Sequence, residues 1–338
     1  MKRISQLDGV RGLAILAVYL HHALKVKLLW MGVDLFFILS GFLITGVLVR
    51  AKEQGLGHYF AQFYGRRARR ILAPYLLTLV AMSFVFGVAW LKHWYLYILL
   101  TNLLLPMHIP RPEAFDPLWS LAVEEQFYVF WPFAVYFLRP RHLRWLALGL
   151  LLAAPVLRGV FHFPEHWAIY TLTPFRMDLM ALGALLCMLY NDHSPWLERW
   201  GAALGAACTA AGVAGLLLLA HFGVSTYGNT RLGNVTIYEG SLLSTVGVML
   251  WALSGQGVAP LRWAPLRYLG KVSYSFYLVH LGVLILLGRY FSPKLAAGAG
   301  FLLCVAYASA SWYLMEVRLL HAGARKTTAS VATVQARR

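Results

Sequence analysis

The sequence predicts an all-α protein, a polytopic transmembrane helical bundle of about ten spanning helices with one short re-entrant or interfacial helix. Three observations predict it. Apolar residues make up 60% of the chain and charged residues 13%, against the roughly 25% charged of a soluble domain. Apolar stretches of about 20 residues, enough to cross ~30 Å of hydrocarbon at 1.5 Å per residue, follow one another almost end to end. Lys and Arg outnumber Asp and Glu by 30 to 13, a net +17, and they concentrate on alternate sides of those stretches, as cytoplasmic loops do. The same hydrophobicity excludes a disordered or low-complexity chain. Anionic lipid and the retention of basic residues inside account for the charge excess, so no nucleic-acid partner is expected. Cys187, Cys208 and Cys304 sit in apolar runs without metal-ligand spacing, so neither a disulfide framework nor a metal site is expected.

The first span, 7–24, contains Asp8, Arg11, His21 and His22 and lacks a small-residue cleavage site. It is expected to stay as a helix rather than leave as a signal peptide. The second, 30–49, holds Asp34, and the third, 71–91, follows a basic run of Arg66, Arg67, Arg69 and Arg70. Trp94 to Leu105 reaches only ~18 Å as a helix, too short to span, and is the re-entrant or interfacial piece. The fourth span, 118–138, carries Glu124 and Glu125; the fifth is 145–162; the sixth, 167–190, carries Arg176 and Asp178. Spans 201–221, 238–256, 272–291 (with His280) and 295–315 complete the set, and Glu316 follows the last. Residues 1–318 form one membrane domain, and 319–338 read as a flexible, basic cytoplasmic tail. With the N-terminus inside, about 20 Lys and Arg fall within and about 8 outside, Arg158 among the outer set. Both termini are therefore expected in the cytoplasm.

Ionisable side chains at membrane depth cost several kcal/mol, so those present are candidate functional groups. Arg11 and His22 are eleven residues apart. Eleven steps of 100° make three turns plus about 20°, which puts both on one helix face ~16 Å apart. They can join two depths of one cavity, or be a snorkelling Arg and a core His. Arg67 and Arg70 share a helical face suited to a phosphate group, or anchor the chain to lipid headgroups. Ser120, Glu124 and Tyr128 form a polar stripe in which the paired acids can relay protons, or be capped by Arg176 in a structural ion pair.

These segments together resemble the acyltransferase 3 family of integral membrane acyltransferases, which O-acylate sugars and related acceptors in bacterial envelopes. The resemblance rests on Leu7-Asp-Gly-Val-Arg-Gly through His22, Gly32-Val-Asp-Leu-Phe-Phe through Ile44, and the Arg-Arg-x-x-Arg-Ile of Arg66 to Ile71. It continues in Trp119 to Tyr128, Phe175-Arg-Met-Asp178, and Leu269-Gly-Lys-Val-Ser-Tyr-Ser-Phe-Tyr through His280. The family's Arg-x10-His falls on Arg11 and His22 and its Arg-x-x-Arg on Arg67 and Arg70. Where the family often has Glu-x-Pro, this chain has Glu316-Val-Arg318. No C-terminal hydrolase-like domain follows, so no second transfer step is expected.

The resemblance implies a place in a bacterial inner membrane, an acyl-CoA donor, acetyl-CoA first, on the cytoplasmic side and a carbohydrate or lipid-linked glycan acceptor near the outer side, with membrane lipid around the bundle. Arg67 and Arg70 would hold CoA, and His22 would take the acceptor's hydroxyl proton. Asp34 is the first candidate to fix the imidazole tautomer and Glu124 the second. An acyl-histidine intermediate stays open beside direct transfer. A proton-coupled transporter or flippase of an envelope intermediate uses the same residue types and is the alternative from another class.

Overall fold

The computed structural model describes residues 4–225 and 229–319, and every regular element among them is helical. The expected tail lies, from residue 320 on, outside the described residues. Among the described residues six helices are long and apolar enough to cross a membrane, and a bent pair, counted as one span, makes a seventh. That is fewer than the ten expected, and the shortfall has a physical origin. Helix α1 (Gln6–Leu24) and helix α5 (Leu118–Phe137) have the length of a span but lose hydropathy to Asp8, Arg11, His21 and His22 in one and Glu124, Glu125 and Gln126 in the other. The two helices that fail on composition are thus the two richest in candidate chemistry.

Between them come α2 (Gly32–Ala51), α3 (Leu56–Phe86) and the single turn α4 (Leu96–Leu99). The stretch from Ala89 to Leu103 is broken into short helical turns whose Leu96, Tyr97, Thr101 and Asn102 are buried. Thr101 Oγ1 donates to the Leu118 carbonyl at 2.7 Å, holding this stretch on the entry to α5. Helix α6 is Pro140–Val160 and α7 Trp167–Thr171. The expected spans 167–190 and 201–221 are two helical arms, together labelled α8 (Met177–His221), that meet at a kink where His193 leaves helical geometry two residues before Pro195, whose ring cannot continue the hydrogen-bond ladder. Helices α9 (Arg231–Ser254), α10 (Ala264–Lys271), α11 (Ser273–Gly288) and α12 (Pro293–Ser311) follow. The chain turns by 80° between α10 and α11.

Glycines set the crossings that position the site. A Cβ on Gly41 of α2 would lie 2.0 Å from the Met180 carbonyl oxygen of α8, and one on Gly183 2.1 Å from that of Ile38. Only backbone against backbone fits there, as in small-residue packing of membrane helices. Likewise Gly270 of α10 presses on the Asp8 carbonyl of α1. Helix α3 is clipped to α5 by two tyrosines, Tyr59 donating to the Pro132 carbonyl at 3.0 Å and Tyr64 to that of Val129 at 2.9 Å. These clips turn the basic face of α3 toward the acidic stripe of α5.

Candidate active site

Arg11 from α1, Arg67 and Arg70 from α3, Ser40 from α2, and Ser120, Glu124, Glu125 and Tyr128 from α5 line one cleft, closed on its remaining side by Ser273, Tyr274 and Tyr277 at the start of α11. It encloses about 800 Å³ of empty space, solvent mouth included. Arg11, Arg67 and Arg70 are only partly buried, and among the described residues none of the three forms an ion pair. Arg67 instead lies 5.3 Å from the centre of the Tyr128 ring and 5.9 Å from that of Phe63, an arrangement that leaves its N–H groups for a ligand. Glu124 is held by neutral hydroxyls: Ser40 donates to Oε1 at 2.9 Å and Tyr128 to Oε2 at 2.8 Å. The cleft therefore offers three cations against two carboxyl groups, one of them ordered by hydroxyls, a donor set for a phosphate-bearing molecule.

At its inner wall Tyr277 Oη and Ser120 Oγ are 2.7 Å apart, and the Tyr277 hydroxyl also donates to the Pro117 carbonyl at 2.9 Å. One helical turn along α11 stands His280, whose Nε2 is 3.2 Å from His22 Nδ1. His22 itself does not line the cleft; it is reached from it through Tyr277 and His280. The sequence marked His280 as an ionisable group at membrane depth but assigned it no role, because its neighbour is 258 positions away. His21, whose Nδ1 faces the Val26 carbonyl at 3.1 Å, points back into its own loop.

Two sequence expectations are corrected. Asp34 does not meet His22. One of its oxygens takes Arg176 and the other accepts from Ser241 Oγ at 2.6 Å, because the α2–α8 crossing at Gly41 and Gly183 brings Asp34 and Arg176 together. For the same reason Arg176 does not cap Glu124 or Glu125. Beside this pair Arg158, counted above as an outer loop charge, is buried at 1% exposure and bonds Asp178 at 2.7 Å and also Glu239. Glu316 accepts from Ser275 at 2.7 Å and Ser311 at 3.0 Å, tying the end of α12 to the start of α11. Outside the helices, Arg111 bonds Asp116 at 2.7 Å on the loop into α5; burial still raises the Asp116 carboxyl above its ordinary range despite that guanidinium. Among the described residues no three His, Cys, Asp or Glu side chains stand together as a metal site would need.

Comparison with known proteins covers nearly the whole bundle. The profile of the acyltransferase 3 family, described as an acyltransferase domain, matches residues 4–316. The chain is 28% identical over 322 residues to the peptidoglycan O-acetyltransferase OatA of Listeria monocytogenes, covering 84% of this chain and 50% of that protein. It is 28% identical over 320 residues to the putative peptidoglycan O-acetyltransferase YrhL of Bacillus subtilis, with 84% and 49% covered. A putative O-acetyltransferase of Staphylococcus aureus is 25% identical over 338 aligned positions, with 86% and 52% covered. The chain thus spans about half the length of the curated relatives it matches. No solved structure matches.

Proposed function

This chain belongs to the acyltransferase 3 family, and from that premise we propose that it moves an acetyl group from cytoplasmic acetyl-CoA to a hydroxyl of an envelope carbohydrate such as peptidoglycan. The observation that carries the reading is the cleft in which Arg11, Arg67 and Arg70 converge, outnumbering Glu124 and Glu125 and, among the described residues, ion-paired with neither. Guanidiniums at partial burial attract anions strongly, and CoA supplies phosphates. Relatives named for O-acetylation of peptidoglycan support the acceptor class. The transporter alternative is not favoured, since the family is one of acyltransferases.

Arg67 and Arg70 bind the donor's phosphates, Arg11 completes the basic wall, and the thioester extends past Tyr277 toward His22. His22 accepts the proton of the acceptor hydroxyl as its oxygen attacks the thioester carbonyl. The C–S bond breaks, the ester forms, and the proton passes from the imidazolium to the departing thiolate. Glu124, held by Ser40 and Tyr128, orders the cleft around the donor rather than the imidazole. The basic residues of α3 face the cytoplasm, both termini lie there, and α1, α5 and the two arms of bent α8 count among about ten crossings.

The test is thiol release from acetyl-CoA by purified protein in nanodiscs, with and without peptidoglycan fragments. His22→Ala is expected to lower turnover by about 10²- to 10⁴-fold, the usual cost of a lost general base, and His21→Ala to leave it near wild type. Wild-type turnover by His22→Ala overturns the mechanism.

A further inference from the structure

We propose that His280 is a positioning residue that fixes the tautomer of His22, holding its proton on Nδ1 and leaving the Nε2 lone pair bare. The assignment follows the hydrogen bonds from one end to the other. His280 Nδ1 is 2.6 Å from the Tyr277 carbonyl oxygen, and a carbonyl only accepts, so that nitrogen carries the proton. In a neutral imidazole the other nitrogen is then an acceptor, and His280 Nε2 faces His22 Nδ1 at 3.2 Å. His22 Nδ1 also faces the Val18 carbonyl at 3.0 Å. Both neighbours of that nitrogen are acceptors, so it must be the protonated one. His22 Nε2 is left unprotonated, has no hydrogen-bond partner among the described residues, and belongs to a ring that is only partly buried. The arrangement does what the carboxylate does for histidine in a hydrolase triad, but with a neutral ring. Neutrality suits the place, since His280 is fully buried and a lone charge there would be costly.

The geometry is held independently of the pair. One turn earlier on each helix, Tyr19 of α1 and Phe276 of α11 stack edge to face with ring centres 5.5 Å apart. Tyr19 is also tied by its hydroxyl to the Ala297 carbonyl of α12. The two imidazoles form the next rung, ring centres 5.0 Å apart. Position 280 therefore controls His22 through a single nitrogen. The tautomer itself needs no substrate, whereas its use in turnover rests on the acyl-transfer reading.

The experiment has two arms. In the first, protein with ¹⁵N-labelled histidine is placed in nanodiscs, and the ring nitrogens of His22 and His280 are assigned by comparison with His22→Ala and His280→Leu. The expected wild-type spectrum has protonated Nδ1 and bare Nε2 on both rings; a protonated His22 Nε2 overturns the proposal. The second arm measures thiol release from acetyl-CoA with peptidoglycan fragments. His280→Leu is expected to lower kcat by about 10- to 100-fold with the donor KM unchanged. That is less than the ~10⁴ of a wholly wrong tautomer, since the Val18 carbonyl still holds part of the population. His280→Gln, whose side-chain oxygen can accept from His22 as the imidazole Nε2 does, is expected to recover most of the loss, and His280→Asn, which reaches only as far as Nδ1, is not. Unchanged kcat in His280→Leu, or a loss that Gln does not repair, overturns the positioning role. If the wild type transfers no acetyl group at all, the acyl-transfer reading fails, while the nitrogen spectrum still decides the tautomer.

Discussion

Two regions of this bundle use the same residue types to opposite ends. In the cluster between α2, α6, α8 and α9, Arg158 and Arg176 are each 1% exposed and meet Asp34, Asp178 and Glu239. Arg176 is further enclosed by Trp30, Phe37, Trp119, Tyr170 and Tyr238, ring centres 4.8 to 5.8 Å from the guanidinium. In the cleft between α1, α3 and α5, Arg11, Arg67 and Arg70 stand open to a cavity that Glu124 and Glu125 also line, and among the described residues they form no ion pair. A cation at membrane depth has to be neutralised by something. Where the chain supplies the counter-charge in contact and covers it with aromatic faces, the arginine is part of the architecture; where three cations outnumber the two glutamates of a cavity and pair with neither, the proposed donor's phosphates would supply the balance. Arginine at membrane depth is thus not by itself a mark of a binding site, and its partners decide.

The largest expected effect tests the closed cluster. Arg176→Met strands Asp34 in the core with Ser241 as its remaining partner, and breaking a buried pair from one side costs about 3 to 5 kcal/mol. Unfolding in nanodiscs should shift accordingly, with donor KM unchanged in the protein that stays folded. Adding Asp34→Leu to Arg176→Met should return much of the loss, because two apolar residues leave no charge behind. If Arg176→Met unfolds like wild type but raises donor KM, the cluster belongs to the binding site and the contrast collapses.

What was legible in the sequence divides along the same line. Apolar runs and the loop charges between them are local, so the helical membrane class could be read directly, as could the likeness of Arg11, Arg67, Arg70 and Glu124 to one family's motifs. Partnerships across the bundle could not. Asp34 meets Arg176 because Gly41 and Gly183 let α2 and α8 touch backbone to backbone, and no pattern in either helix announces the other. His280 meets His22 because an 80° turn after α10 aims α11 along α1, which no periodicity encodes. The break between the spans 167–190 and 201–221 could be read as well, and it falls at His193, whose non-helical geometry two residues before Pro195 divides α8 into two arms.

The open cleft is tested next. Arg67→Ala or Arg70→Ala removes hydrogen bonds to a charged group, about 1.5 to 3 kcal/mol apiece, which is roughly 10- to 150-fold in the apparent KM for acetyl-CoA when chemistry is slow. Stability should hold or rise slightly, because neighbouring like charges are relieved. Arg67→Lys should recover little, since an ammonium lacks the planar fork and stacks less well over Tyr128. A loss of stability comparable to that of Arg176→Met, with unchanged donor KM, would make the cleft architectural as well.

The smallest effect comes from a third charge environment, the Arg144–Asp192 pair that joins α6 to α8 beside the bend. At 2.6 Å it is as short as the buried Arg158–Asp178 contact at 2.7 Å, but its side chains are 52% and 40% exposed against 1% and 1%. Distance alone would rank the two pairs together. Exposure separates them, because water and salt screen the attraction and two long side chains lose freedom in holding one geometry, leaving exposed pairs about 0 to 1 kcal/mol. Arg144→Ala should therefore move unfolding by no more than about 1 kcal/mol, with the difference from wild type shrinking further as salt is raised. Turnover should match wild type, since neither residue lines the cleft. A shift as large as that of Arg176→Met would show that the pair is what holds α8 together across His193, and burial would then no longer be the quantity that sorts the arginines of this bundle.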